Sequence, residues 1–131
     1  MGAWGTGVFD NDDALDWFDA LERRGADAVL VALETVPEED DFIEAPQASE
    51  ALAAAEIVAA AKGHPAAGLP GEATDWVQAH AAEIGDELVP LAIDAVTRIR
   101  TDSELKDLWE EGDSAQEWLA VVDDLLGRLR G

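Results

Sequence analysis

Midway along the chain, Ala53-Ala54-Ala55-Glu56-Ile57-Val58-Ala59-Ala60 reads as a helix that is apolar nearly all round and interrupted by a single carboxylate. Pro46 stands just inside the predicted start of this alanine-rich helix, which runs to about Lys62. Glu56 shares one stripe with Leu52, Ala55 and Ala59. If it is buried it must be hydrogen-bonded, because an isolated buried carboxylate is costly and would instead raise its pKa and neutralise. An indole N–H, a backbone amide or an arginine could supply that bond. No segment alternates polar and apolar residues convincingly. The continuous apolar run Ala28 to Leu33 is therefore read as helix, since a lone strand would leave its backbone groups without partners.

The remaining periodicities are helical too. Asp10, Asn11, Asp12 and Asp13 offer capping acceptors and favourable charge before Ala14, Leu15, Phe18 and Leu21, and Gly25 closes that segment. Glu38-Glu39-Asp40-Asp41 reads as an acidic loop, and Gly63, Pro65, Gly68, Pro70 and Gly71 mark another. A short helix carries Trp76 and Val77. A longer one carries Leu88, Leu91, Ala92, Ala95, Val96 and Ile99 on one stripe, with its cap at Gly85 or Asp86 and Pro90 in its first turn or so. Thr101-x-x-Glu104 and Ser114-x-x-Glu117 resemble capping boxes for two final helices. The expectation is an all-α fold: one domain over residues 1–131, a compact bundle of about six to seven short helices. An irregular arm containing glycines and Trp4 precedes them.

The chain has 131 residues, long enough for one hydrophobic core, and an apolar content of 48%, too high for a disordered chain. It has no cysteine, which excludes disulfides and thiolate chemistry. Thirty acidic residues against eight basic ones give a formal charge of −22, a field that repels nucleic acids and anionic membranes. Arg23, Arg24, Lys62, Arg98, Arg100, Arg128 and Arg130 fall in predicted last turns, where cations complement the helix dipole, so broad faces should carry negative charge alone. The start lacks the basic and apolar regions of a signal peptide, and no apolar stretch approaches the roughly 18 residues of a membrane span. Cytoplasm is the expected compartment. The opening residues fit the loose M-G-x-x-x-[ST] myristoylation pattern, with no polybasic second signal after it.

Catalytic constellations are scarce. There is no G-x-S-x-G elbow; His64 lies in the Gly/Pro loop, and His80 continues the Ala73, Trp76, Val77 face as a packed or surface histidine. Gly2, Gly5 and Gly7 lack the lysine and spacing of a phosphate loop. No Glu-x-x-His supports a di-metal bundle, and the calcium-loop pattern after Asp10 breaks at Ala14 and Leu15. Capping and solvation account for Asp10 to Asp13 and for Glu38 to Asp41 better than a metal ion does. Trp17, Trp76, Trp109 and Trp118 lie at or beside apolar helical positions and read as core.

The start Gly2-Ala3-Trp4-Gly5-x-Gly7-x-Phe9-Asp10-Asn11-Asp12-x-Ala14 resembles the opening of a bacterial family known as domain of unknown function 4259. Phe42-Ile43-Glu44-Ala45-Pro46, the segment Ala51 to Val58, Asp102-Ser103-Glu104-Leu105-x-x-Leu108-Trp109 and Glu117-Trp118 are similar to its later blocks. The resemblance implies no activity. It marks Trp4, Asp10, Asp12, Glu44, Glu56, Trp109 and Trp118 as motif positions. The first five are the candidate binding residues; no catalytic residue, metal ligand or cofactor is expected. The leading expectation is a non-enzymatic domain whose acidic face engages a basic partner protein, as immunity or regulatory proteins do. The alternatives are a small-molecule or metal binder or enzyme, with a site under the N-terminal arm where Glu56, Glu44 and Trp4 line a cleft, and a purely structural or oligomeric bundle.

Overall fold

Alanine decides the architecture. In a computed structural model that describes residues 8–9, 11–36, 43–66 and 68–131, the helix α3, Ala45–Ala61, is buried from Ala48 to Ala60 at every position but Glu50. A helix enclosed on all faces needs neighbours all around it, and side chains that stop at Cβ let those neighbours approach closely. The neighbours are α1 (Asp12–Arg24), α2 (Ala26–Glu34), α4 (Gly71–His80), α5 (Leu88–Thr101), α6 (Glu104–Glu110) and α7 (Ala115–Arg130). Each of them packs on α3. A single 3-10 turn, Ala81–Glu83, follows α4. The fold is all-α as predicted, with seven α-helices among the described residues, and Ala28 to Leu33 is helical.

Each outer helix turns one apolar stripe inward. On α1 the buried residues are Ala14, Trp17, Phe18 and Leu21. Leu15, expected on that stripe, is instead 41% exposed: with a helical rotation of about 100° per residue it falls on the flank of the polar face. On α5, Leu88, Ala92, Ala95, Val96 and Ile99 are buried and Leu91 is partly so. On α7 the stripe is Trp118, Val122, Leu125, Leu126 and Leu129. Trp17, Trp76 and Trp118 belong to the core, while Trp109 is half-buried at its edge.

Local chemistry sets the helix ends. The Asn11 side chain accepts from the Ala14 amide at 2.8 Å and caps α1. Gly25 alone joins α1 to α2, with φ 64°, a conformation a β-carbon would strain, while its N–H closes the helix onto the Leu21 carbonyl. The cap of α5 is Glu87, one residue beyond the expected pair, which leaves Pro90 third in the helix, where no intrahelical amide bond is lost. The two predicted capping boxes need correction. Thr101 is the last residue of α5 and its hydroxyl donates back to the Thr97 carbonyl, so the cap of α6 is Ser103. Ser114 does occupy the N-cap of α7, but its side chain makes no capping bond.

Ser103 and Glu104 also hold the N-terminus of α3. Ile43 and Ser103 form an isolated parallel bridge, the Glu104 amide donates to the Ile43 carbonyl at 2.8 Å, and the Ala45 amide donates to Glu104 Oε1 at 2.8 Å. Glu104 thus places one carboxylate near the positive ends of two helices, its own and α3. Ser103, fully buried, donates to the Ile99 carbonyl at 2.7 Å and accepts from the Lys106 amide at 3.1 Å. Ser103→Ala should cost about 1–2 kcal/mol, since it removes a cap and leaves the partly buried Lys106 amide without its acceptor; urea denaturation would measure it.

Candidate functional site

Glu56 is 1% exposed, and α3 carries no partner for it. Its charge is met from α7: Arg128 Nη1 donates to Oε1 at 2.8 Å and Nη2 to Oε2 at 2.9 Å, a bidentate pair. The same guanidinium donates through Nε to Asp124 Oδ2 at 2.7 Å and through Nη1 to the His64 carbonyl at 3.2 Å. Arg128 therefore ties α3, α7 and the loop after α3 together. Its hydrogen bond to Glu56 holds the guanidinium well above its ordinary range; burial opposes that shift, and the charge of Glu56 and then Asp124 reinforce it. An arginine was one of the three partners anticipated for Glu56. The sequence alone places Arg128 at a helix end, and it does lie in the last turn of α7.

Beside the ion pair lies a cavity of about 460 Å³. Ala120, Val121, Asp124 and Arg128, at spacings that share one face of α7, form one wall. Ala66, Gly68 and Leu69 of the loop form a second. Val8 and Phe9, at the end of the N-terminal arm, line it too, and Glu56 completes it. A cleft under the arm near Glu56 was one of the alternatives read from sequence. The walls from α7 and the loop were not anticipated, because Ala120, Val121, Ala66 and Leu69 carry no signal distinguishing a cavity lining from ordinary half-buried surface.

The candidate residues do not assemble as one group. Glu44 is exposed at the N-cap of α3, its amide donating to Gln47 Oε1. Twelve residues separate it from Glu56, roughly 18 Å along the helix, which takes it out of the proposed cleft. Asp12 is exposed in the first turn of α1, where its charge favours the helix N-terminus. Trp4, Asp10 and the loop Glu38 to Asp41 lie outside the described residues. Of the histidines, His80 stacks on Trp76 with ring centroids 4.7 Å apart and meets Glu83 at 2.6 Å; the side chain of His64 is exposed. No helix is long and apolar enough to cross a membrane among the described residues.

A smaller hollow, about 160 Å³, lies between α1, α2 and α3 and includes Glu50. Burial, and then the charge of Asp13, hold the Glu50 carboxyl above its usual range. A carboxyl raised in the folded state adds stability while protonated and loses it as pH rises through its folded pKa. Glu50→Gln should therefore raise the melting temperature slightly at pH 7, with the gain vanishing below the ordinary carboxylate range, as pH-resolved thermal melts would record.

Cutting the central ion pair on one side should be far more damaging. Arg128→Ala leaves a buried carboxylate uncompensated, at a cost of about 3–5 kcal/mol, toward the lower end because the Arg128 side chain is 16% exposed. Glu56→Leu with Arg128→Met should recover most of the loss. Chemical denaturation of the single and double variants measures the coupling.

A family model described as domain of unknown function (DUF4259) matches residues 2–121; the chain belongs to that family. The matched residues include Glu56 and stop short of Asp124 and Arg128. Comparison with curated proteins and with solved structures gave no match.

Proposed function

Taking that family membership as the premise, we propose that the chain is a non-catalytic binding protein whose site is the cavity beside the Glu56–Arg128 pair. The cavity carries the reading. At about 460 Å³ it is in the usual range for small-molecule sites, roughly 300–1,000 Å³, and it combines mainly apolar walls with a few convergent charged groups. The chemistry of the lining argues against a reaction. No hydroxyl, imidazole or amine side chain is present among its described residues, and Glu56 and Arg128 are committed to each other. A ligand here would be held between a helix face, a loop and the end of the arm. A cytoplasmic setting belongs to the same proposal.

A second reading, an acidic face that engages a basic partner protein, is favoured by the outer side of α1. Asp12, Asp13, Asp16, Asp19 and Glu22 are all exposed there beside the exposed Leu15, and the only cations of that helix are Arg23 and Arg24 at its end. Elsewhere cations are more often tied up: Lys62 with Asp86 at 2.6 Å, Lys106 with Glu110 at 3.0 Å, and Arg100 with Asp123. An uninterrupted acidic face attracts positive charge, and screening by salt should weaken that attraction.

One pair of variants separates the readings. Ala120→Trp, at an exposed position on the cavity wall, should abolish binding of fragments detected by ligand-observed NMR and leave salt-sensitive capture of basic proteins intact. Replacing Asp12, Asp16 and Asp19 by Lys should do the reverse. Fragment binding that survives Ala120→Trp counts against the cavity.

A further inference from the structure

We infer that the cavity takes a small organic cation with an apolar body, such as an alkyl or aralkyl amine. The inference rests on the cavity being a binding site and concerns what that site selects. Three charged side chains line it, Glu56, Asp124 and Arg128, for a local formal charge of −1. The cation among them is already spent. Four of the five N–H groups of Arg128 are engaged, by Glu56 twice, by Asp124 and by the His64 carbonyl. An anionic ligand would find one N–H left, too few for a bidentate grip, and any further donor would have to come from a carboxylate that is 1% exposed. It would also enter against the field of a chain with a formal charge of −22.

A cation meets the opposite conditions. Asp124 holds Arg128 through Oδ2 alone, and its side chain is 67% exposed, so its carboxylate can accept a further charge-assisted hydrogen bond at the edge of the cavity. Val121, Leu69 and Val8 offer an apolar surface for the body of the ligand, and Phe9 offers an aromatic face on which an ammonium is attracted. The Glu56–Arg128 pair is then the rigid floor: it fixes the wall of α7 against α3 and leaves Asp124 as the carboxylate that reads the ligand.

A matched series tests this: 4-phenylbutylamine, 4-phenylbutanol and 4-phenylbutyrate, titrated into the full chain and followed by NMR shifts of the Val121 and Leu69 methyl groups. The amine should bind about tenfold or more tightly than the alcohol, and the carboxylate most weakly. Asp124→Asn retains an acceptor for Arg128 Nε and removes the charge, so it should erase the preference of the amine over the alcohol; a preference that survives it counts against Asp124 as the carboxylate that reads the ligand. Equal binding of all three, lost in Ala120→Trp, would overturn the cation inference and preserve the cavity as a site. No shift with any of the three would overturn both.

Discussion

A helix enclosed on nearly every face can tolerate a fully buried charge only if a partner reaches it from outside, and on α3 that charge is Glu56. The bidentate contact from Arg128 satisfies Glu56 without any contribution from α3 itself. Its geometric consequences exceed its net contribution to stability, because the desolvation of both ions offsets much of their attraction. The pair sets the distance and register between α3 and α7, and through the His64 carbonyl it fixes where the Gly/Pro loop leaves the central helix. The cavity sits beside that junction. Its shape therefore depends on an ion pair, whereas most of the fold depends on apolar packing.

Much of the helical order was legible because periodicity reports it directly. The stripes of α5 and α7, the glycine between α1 and α2, and the proline near the start of α3 appear where spacing and backbone chemistry put them. Boundaries failed where two residues of similar chemistry compete. Thr101 and Ser103 can each cap a helix, and the choice fell to Ser103 because α5 runs on long enough for Thr101 to bond back to its own turn. Leu15 misled for a related reason: its apolar character matches a stripe that its angular position does not.

The candidate site was half legible. Glu56 stands out because a carboxylate within an apolar helix demands a partner, but several arginines at helix ends were available and nothing in the spacing selects the one on α7. Asp124, one turn before Arg128, is the missed clue: it holds Nε and leaves the opposite edge of the guanidinium for Glu56. Glu44 was grouped with Glu56 as a motif position, a grouping that ignores the length of the helix between them. Family motifs mark positions that matter without saying to which feature each belongs; Glu44 begins a helix and Glu56 anchors one.

Because every outer helix leans on α3, none can peel away without exposing part of it. The amides of its central turns should therefore exchange with solvent only when the whole molecule opens, making the chain one cooperative unit with little scope for independent subdomain breathing. The short α6 is the natural exception. It has no fully buried side chain and is held chiefly by its Ser103–Glu104 clip, so fraying should begin there.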